Sequence, residues 1–221
     1  MIHTPLKVAL CCAIIGLLTG CGLSTLTSAA APTNLYTLTP KSTFDPNLPR
    51  VKQQIVVLEP TATAAVSNDR IAVMPTPLKV EFLPDARWVD RAPAIIQTLL
   101  IESYENSGKV DAVGRSAVDL RADYLVVTDV REFQARLPAG ALKDDRLEVD
   151  VRLNIKLVNA DVDRIIASRS FEEVVPAQSD EADDIAVAFD MALGRAMRKS
   201  VEWSVREMHS DARKRPARPI Y

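Results

Sequence analysis

Apolar and polar residues alternate without a break from residue 147 to 157. Leu147, Val149, Val151, Leu153, Ile155 and Leu157 hold one parity, and Glu148, Asp150, Arg152, Asn154 and Lys156 hold the other. Period two is the side-chain repeat of a β-strand, so 145–161 reads as a long strand with one face buried and the other solvated or docked. The stretch 163–177 (DRIIASRSFEEVVPA) pairs with it through a turn near 159–163. Ahead of both, 122–136 (ADYLVVTDVREFQAR) contains a buried-looking run that passes into alternation. Shorter strand signals fall at 34–40, 53–60, 70–75, 78–84 and 109–113, several of them ended by proline. Residues 61–68 read as a single helical turn or a loop.

Two stretches carry the helical period instead. In 85–108, Trp88, Ala92, Ile95, Ile96, Leu99, Leu100 and Tyr104 recur at spacings of three and four. Asp90 is the expected cap, Pro93 fits the first turn, and Gly108 is a C-terminal stop. In 179–209, Ile185, Phe189, Ala192, Leu193, Ala196, Met197, Val201, Val205 and Met208 form the stripe. Ser179 is the expected N-cap, and Asp180, Glu181, Asp183 and Asp184 suit the positive helix end. Together these elements predict an α/β fold: a mixed, largely antiparallel sheet flanked by two long amphipathic helices.

The first thirty residues follow neither period. Residues 8–18 are almost wholly apolar, preceded by His3 and Lys7, with no acidic residue before Asp45. About eleven residues are too few to cross a bilayer as a helix, which takes roughly 20. They have the length and flanks of a signal-peptide core. The run ends Leu18-Thr19-Gly20-Cys21, which resembles the lipobox of bacterial lipoproteins. That resemblance implies cleavage between Gly20 and Cys21 and lipidation of Cys21. The expected organisation is therefore a signal peptide over 1–20 and a lipidated tether with a short strand over 21–50. A single domain over 51–209 and a basic flexible tail over 210–221 complete it.

Cysteine usage then limits the chemistry. Cys11 and Cys12 fall in the removed segment, and Cys21 carries lipid. The mature domain is left without a disulfide, a thiol nucleophile or a cysteine metal site. Of the two histidines, His3 is in the signal and His209 ends the last helix. Neither a G-x-S-x-G elbow, an H-E-x-x-H pair, a G-x-G-x-x-G loop nor a P-loop occurs. The adjacent pairs Asp144-Asp145 and Asp183-Asp184 read as a turn and as the charged first turn of a helix. Trp88 reads as a core anchor at the helix start, and Trp203 as the edge of the second stripe or part of a contact surface. A net charge of −2 argues against a general nucleic-acid binder. The tail residues Arg213, Lys214, Arg215 and Arg218 read as a solvated tail, with contact to anionic lipid or an acidic partner as the other option. No catalytic residue, metal ligand or cofactor is assigned, and the partner-binding residues are left open.

The order of features resembles the ABC-type transport auxiliary lipoproteins, the group that includes the PqiC-like components of MCE lipid-transport systems. The resemblance rests on Cys21, the Tyr36-Thr37-Leu38 strand, the core opening IVVLEP, and the two short strands before RWVDRAPAIIQTLLIESYENSGKVDAV. A long strand pair and a C-terminal helix complete it. Where the family carries a Tyr-Leu-Asp-Arg-like segment, this chain keeps only Asp69-Arg70. The resemblance implies a fold similar to the anticodon-binding-like or TolB N-terminal-like domains. It implies a non-enzymatic, periplasm-facing lipoprotein working with an MCE-type protein, an ABC permease and an ATPase on phospholipid or other hydrophobic cargo. Gly22 after the cysteine points to outer-membrane anchoring, with the inner membrane as the alternative. A homo-oligomer is a further option. A competing reading is a lipoprotein that itself binds a hydrophobic ligand or chaperones an outer-membrane protein.

Overall fold

The computed structural model describes residues 33–115, 121–138, 140 and 146–214. The expected lipobox, with Gly20 and Cys21, lies outside them, as do Asp144, Asp145, Arg215 and Arg218. In chain order the elements are β1 (Asn34–Tyr36), β2 (Val51–Val57), β3 (Thr61–Ala62), β4 (Arg70–Thr76), β5 (Lys79–Trp88), α1 (Ala92–Asn106) and β6 (Val110–Arg115). The second half holds β7 (Tyr124–Arg136), β8 (Glu148–Asn159), β9 (Arg164–Pro176) and α2 (Ala182–Arg213). The nine strands among the described residues belong to one mixed sheet.

The centre of that sheet is β7. Along one side it meets three strands in succession, all parallel to it: β2 beside Tyr124–Val126, β3 beside Asp129 and Val130, and β4 beside Ala135 and Arg136. Along its other side it pairs antiparallel with β8 over its whole length, and β8 pairs antiparallel with β9. β4 and β5 form an antiparallel hairpin, while β1 and β6 add parallel strands at the margins. The long pairs are antiparallel, as the patterning implied.

Both helices cover the same sheet face. They pack on each other and both pack on β2. The alternation of β8 decides the layering: Val149, Val151, Leu153, Ile155 and Leu157 are at most 1% exposed. Their partners on α2 are Ile185, Phe189, Leu193, Met197, Val201 and Val205, fully buried and spaced four residues apart. In β7 the alternation breaks once, at a bulge between Val130 and Glu132. One extra residue there resets the parity, so that Tyr124, Val126 and Val130 before it and Phe133 and Ala135 after it all reach the core. Phe133 lies 4.9 Å from Phe189 and 5.9 Å from Trp88, and Trp88 meets Phe189 edge-on at 5.1 Å.

Several local expectations need correction. Trp88 is a core anchor, but it ends β5 and does not start a helix. The chain stays extended through Arg87 and Trp88 because Arg87 pairs with Arg70, and both residues continue into the parallel contact with β1. The helix begins only at Ala92, with Arg91 in the cap position. Asp90 does not cap α1; its carboxylate accepts from the amide of Arg91. Ser179 sits outside the second helix, which starts after Glu181. The Ser179 hydroxyl instead donates to Asp184 at 2.6 Å and accepts the Glu181 amide. Gly108 does follow the end of α1 with φ of +60°, the conformation that makes glycine useful there. The last helix runs to Arg213, so the first residues of the expected basic tail are helical.

The segment 33–50 also differs from a free tether. Leu38 and Leu48 are 4% and 3% exposed and belong to the core. The Thr39 amide and hydroxyl both donate to Asp190, and the Asp45 amide donates to Glu202. Arg206 donates to Asp45, and the Tyr36 hydroxyl donates to Asp183 at 2.6 Å. This part of the chain is held along α2 by side chains about 150 residues away in sequence.

Candidate docking face and cleft

The parity that sends Val149–Leu157 to the core sends Glu148, Asp150, Arg152, Asn154 and Lys156 to the other side of β8. Among the described residues no helix covers that side. The antiparallel register lines the polar residues up in rows across three strands. Glu132, Arg152 and Glu172 form one row, Gln134, Asp150 and Val174 the next, and Arg136 and Glu148 sit at the strand ends.

The rows are wired to one another. Arg152 donates to Glu132 and reaches Glu172 at 4.0 Å. Arg136 donates through Nε to Asp150 at 3.1 Å and lies 2.9 Å from Glu148 through a terminal nitrogen. Gln134 donates to Glu132 at 2.6 Å while its carbonyl accepts the Phe133 amide. Asn154 donates to Ser170 at 3.0 Å. Even so, Asp150 Oδ1, Arg152 Nε and Asn154 Oδ1 are buried without a partner. Three successive residues on the helix-free face of one strand thus keep unused hydrogen-bonding capacity, a costly state unless something else fills it. Asp150 is only 5% exposed. Burial raises its carboxyl above the ordinary value of 3.8, Arg136 pulls it back down, and Glu172 and Glu132 push it up further. For Arg152, desolvation opposes the charge, but Glu132, Glu172 and Asp150 together outweigh it and hold the guanidinium firmly protonated.

At one end of this face lies a cleft of about 430 Å³. Met74, Pro75 and Thr76 end β4, Pro77 begins the turn to β5, and Leu137, Pro138 and Gly140 follow β7. Glu132, Gln134, Arg136 and Asp150 supply the polar lining. The hairpin turn beside it carries Leu78 fully in solvent and Val80 at 42% exposure. Sequence patterning pointed to the polar face of β8 but not to the cleft, whose walls come from three separate strand ends.

Several other residues singled out from the sequence make contacts within the fold. Asp183 holds Tyr36, and Asp184 accepts from Ser179. His209 lies 3.0 Å from the Arg50 carbonyl through Nδ1. The Trp203 ring packs 5.5 Å from Phe171 at the margin of the core. Among the described residues, no group of three or more histidine, cysteine, aspartate or glutamate side chains could hold a metal ion. No described helix is long and apolar enough to cross a membrane.

Relatives place this architecture. The chain belongs to the family described as the ABC-type transport auxiliary lipoprotein component, whose model matches residues 36–199. Its fold is similar to the crystal structure of protein XCC0632 from Xanthomonas campestris, assigned to the family DUF330. The TM-score is 0.75 at 28% identity, over 81% of this chain and 99% of that one. A second crystal structure, of an uncharacterized protein, gives a TM-score of 0.51 at 14% identity over 83% of this chain and 99% of the other, a likeness of fold alone. Among curated proteins it is similar to the uncharacterized protein bll6063 of Bradyrhizobium diazoefficiens, 27% identical over 186 residues. That match takes in 83% of this chain but 48% of the relative, so the chain spans about half the length of the protein it matches.

Proposed function

We propose that this chain is the lipid-anchored, non-catalytic auxiliary component of an MCE-type ABC transporter that moves phospholipid or other hydrophobic molecules across the bacterial envelope. Cys21 carries the lipid after cleavage behind Gly20, and the domain faces the periplasm, anchored to the outer membrane. Its partners are an MCE-type periplasmic protein and an ABC permease with its ATPase. The observation that carries this reading is the family match over residues 36–199. The polar face of β7, β8 and β9 supports a docking role, because it presents an ordered array of donors and acceptors with capacity to spare.

Affinity purification of the detergent-solubilised chain from its native envelope tests the proposal. An ABC permease, an ATPase and an MCE-type protein should co-purify, and their absence after mild cross-linking refutes it. The anchor is tested separately. Cys21→Ala should yield uncleaved or soluble protein, and normal cleavage with full membrane retention would remove the lipobox from the argument.

A further inference from the structure

We infer that the cleft beside the β4–β5 turn receives a lysine side chain from a docking protein, with the Asp150 carboxylate as its counter-ion. The lining has two parts suited to such a side chain. Met74, Leu137 and Pro138 offer apolar wall to a four-carbon stem, and Glu132, Arg136 and Asp150 form the polar part. Asp150 is the informative residue. It is 5% exposed, it lines the cleft, one oxygen accepts from Arg136 and the other has no donor. A carboxylate left in that state gains from a further donor, and a cationic one gains most.

Charge selects the ligand class. Arg136 is the one cation among the described residues of the cleft, and it is already divided between Glu148 and Asp150. Glu132 is held by Arg152, which also leans toward Glu172. Among the described residues the site therefore has an acceptor to spare and no cation to spare. An aminolipid headgroup brings a phosphate next to its ammonium, and no described lining residue is available to neutralise it. A lysine side chain brings the ammonium alone. The inference deepens the docking role proposed above and rests on it only in the source of the lysine.

The test uses the full chain in detergent with 13C-methyl methionine labels, because Met74 lies in the cleft wall while Met197 and Met208 are fully buried elsewhere. The probes are N-acetyl-lysine methylamide, its norleucine counterpart and phosphoethanolamine. The lysine diamide should shift the Met74 signal saturably at millimolar concentration, and norleucine should bind about tenfold more weakly or not at all. Asp150→Asn should weaken the lysine response about tenfold while the Met197 and Met208 signals stay in place. If those two signals move, Thr76→Trp at the exposed rim provides the second variant and should block the response by filling the mouth. Equal binding by Asp150→Asn with its fold intact, unchanged binding by Thr76→Trp, or no saturable shift with any probe overturns the site. Phosphoethanolamine acting as strongly as the lysine diamide overturns the choice of a protein lysine in favour of a lipid headgroup. These outcomes are independent of co-purification, so the cleft can fail while the transporter assignment stands, and the reverse.

Discussion

If Asp190 is what holds the segment around Thr39 against α2, then Asp190→Ala should loosen that segment without touching the sheet. Asp190 accepts both the amide of Thr39, at 2.6 Å, and its hydroxyl, at 2.9 Å. Thr39 is exposed and Asp190 half-buried, so water replaces part of what is lost. A charge-assisted hydrogen bond contributes about 1.5–3 kcal/mol in protected settings, and solvent screening at this surface brings the pair to about 1–1.5 kcal/mol. A loss of that size corresponds to exchange about tenfold faster at the Thr39 amide. Leu48→Ala, at 3% exposure, should cost more, about 2–3 kcal/mol, from lost burial and the cavity left behind. Native-state hydrogen exchange read by NMR gives both numbers. In the unmodified chain the amides of Thr39, Lys41 and Asp45 should be protected, each donating to a side chain of a helix. The central amides of β7 and β8 should keep their rates in Asp190→Ala. Equal exchange at Thr39 in both proteins, or unprotected Thr39, Lys41 and Asp45 in the parent, refutes the docking of residues 33–50 along α2.

Phe189→Ala removes the ring shared by Trp88 and Phe133 and should destabilise the domain by about 3–5 kcal/mol in urea unfolding; a cost below about 1 kcal/mol contradicts the aromatic cluster. Gly108→Ala should cost about 1 kcal/mol, purely from backbone strain at φ of +60°, because nothing lies within 4 Å of the added Cβ. Asp150 has a raised pKa in the folded protein, so over the window from 3.8 up to its folded value the folded state binds more protons and stability falls as pH rises. Acidification from neutrality through that window should therefore stabilise the parent relative to Asp150→Asn, whose amide does not titrate. Urea melts at several pH values measure the difference, and a gap independent of pH rejects the buried carboxylate as the cause.

What the sequence determined is whatever depends on neighbours a few residues apart. The alternation at 147–157 specified both the strand and its inner face, because a period of two puts every second side chain on the same side of a sheet. The spacing of Ile185, Phe189, Leu193, Met197 and Val201 specified the face of α2 in the same way. The family, too, was legible in the early Tyr-x-Leu and the order of strands and helices. Boundaries that depend on partners were not legible. Trp88 fits a helical stripe with Ala92 and Ile95, yet β1 and β4 hold its neighbourhood extended, and pairing across strands overrides local spacing. The bulge at Arg131 is invisible to periodicity, although it alone turns Phe133 inward and leaves Glu132, Gln134 and Arg136 on the open face. Residues 21–50 read as a tether with a short strand because the hydrogen-bond partners of Tyr36, Thr39 and Asp45 sit on a helix some 150 positions later. The cleft was out of reach for the same reason. Its walls come from the end of β4 with Pro77, from the end of β7 with Leu137, Pro138 and Gly140, and from Asp150 near the start of β8, and only the shared register of β4, β7 and β8 brings them together. Local period sets which way a side chain points, and long-range pairing decides what it meets there.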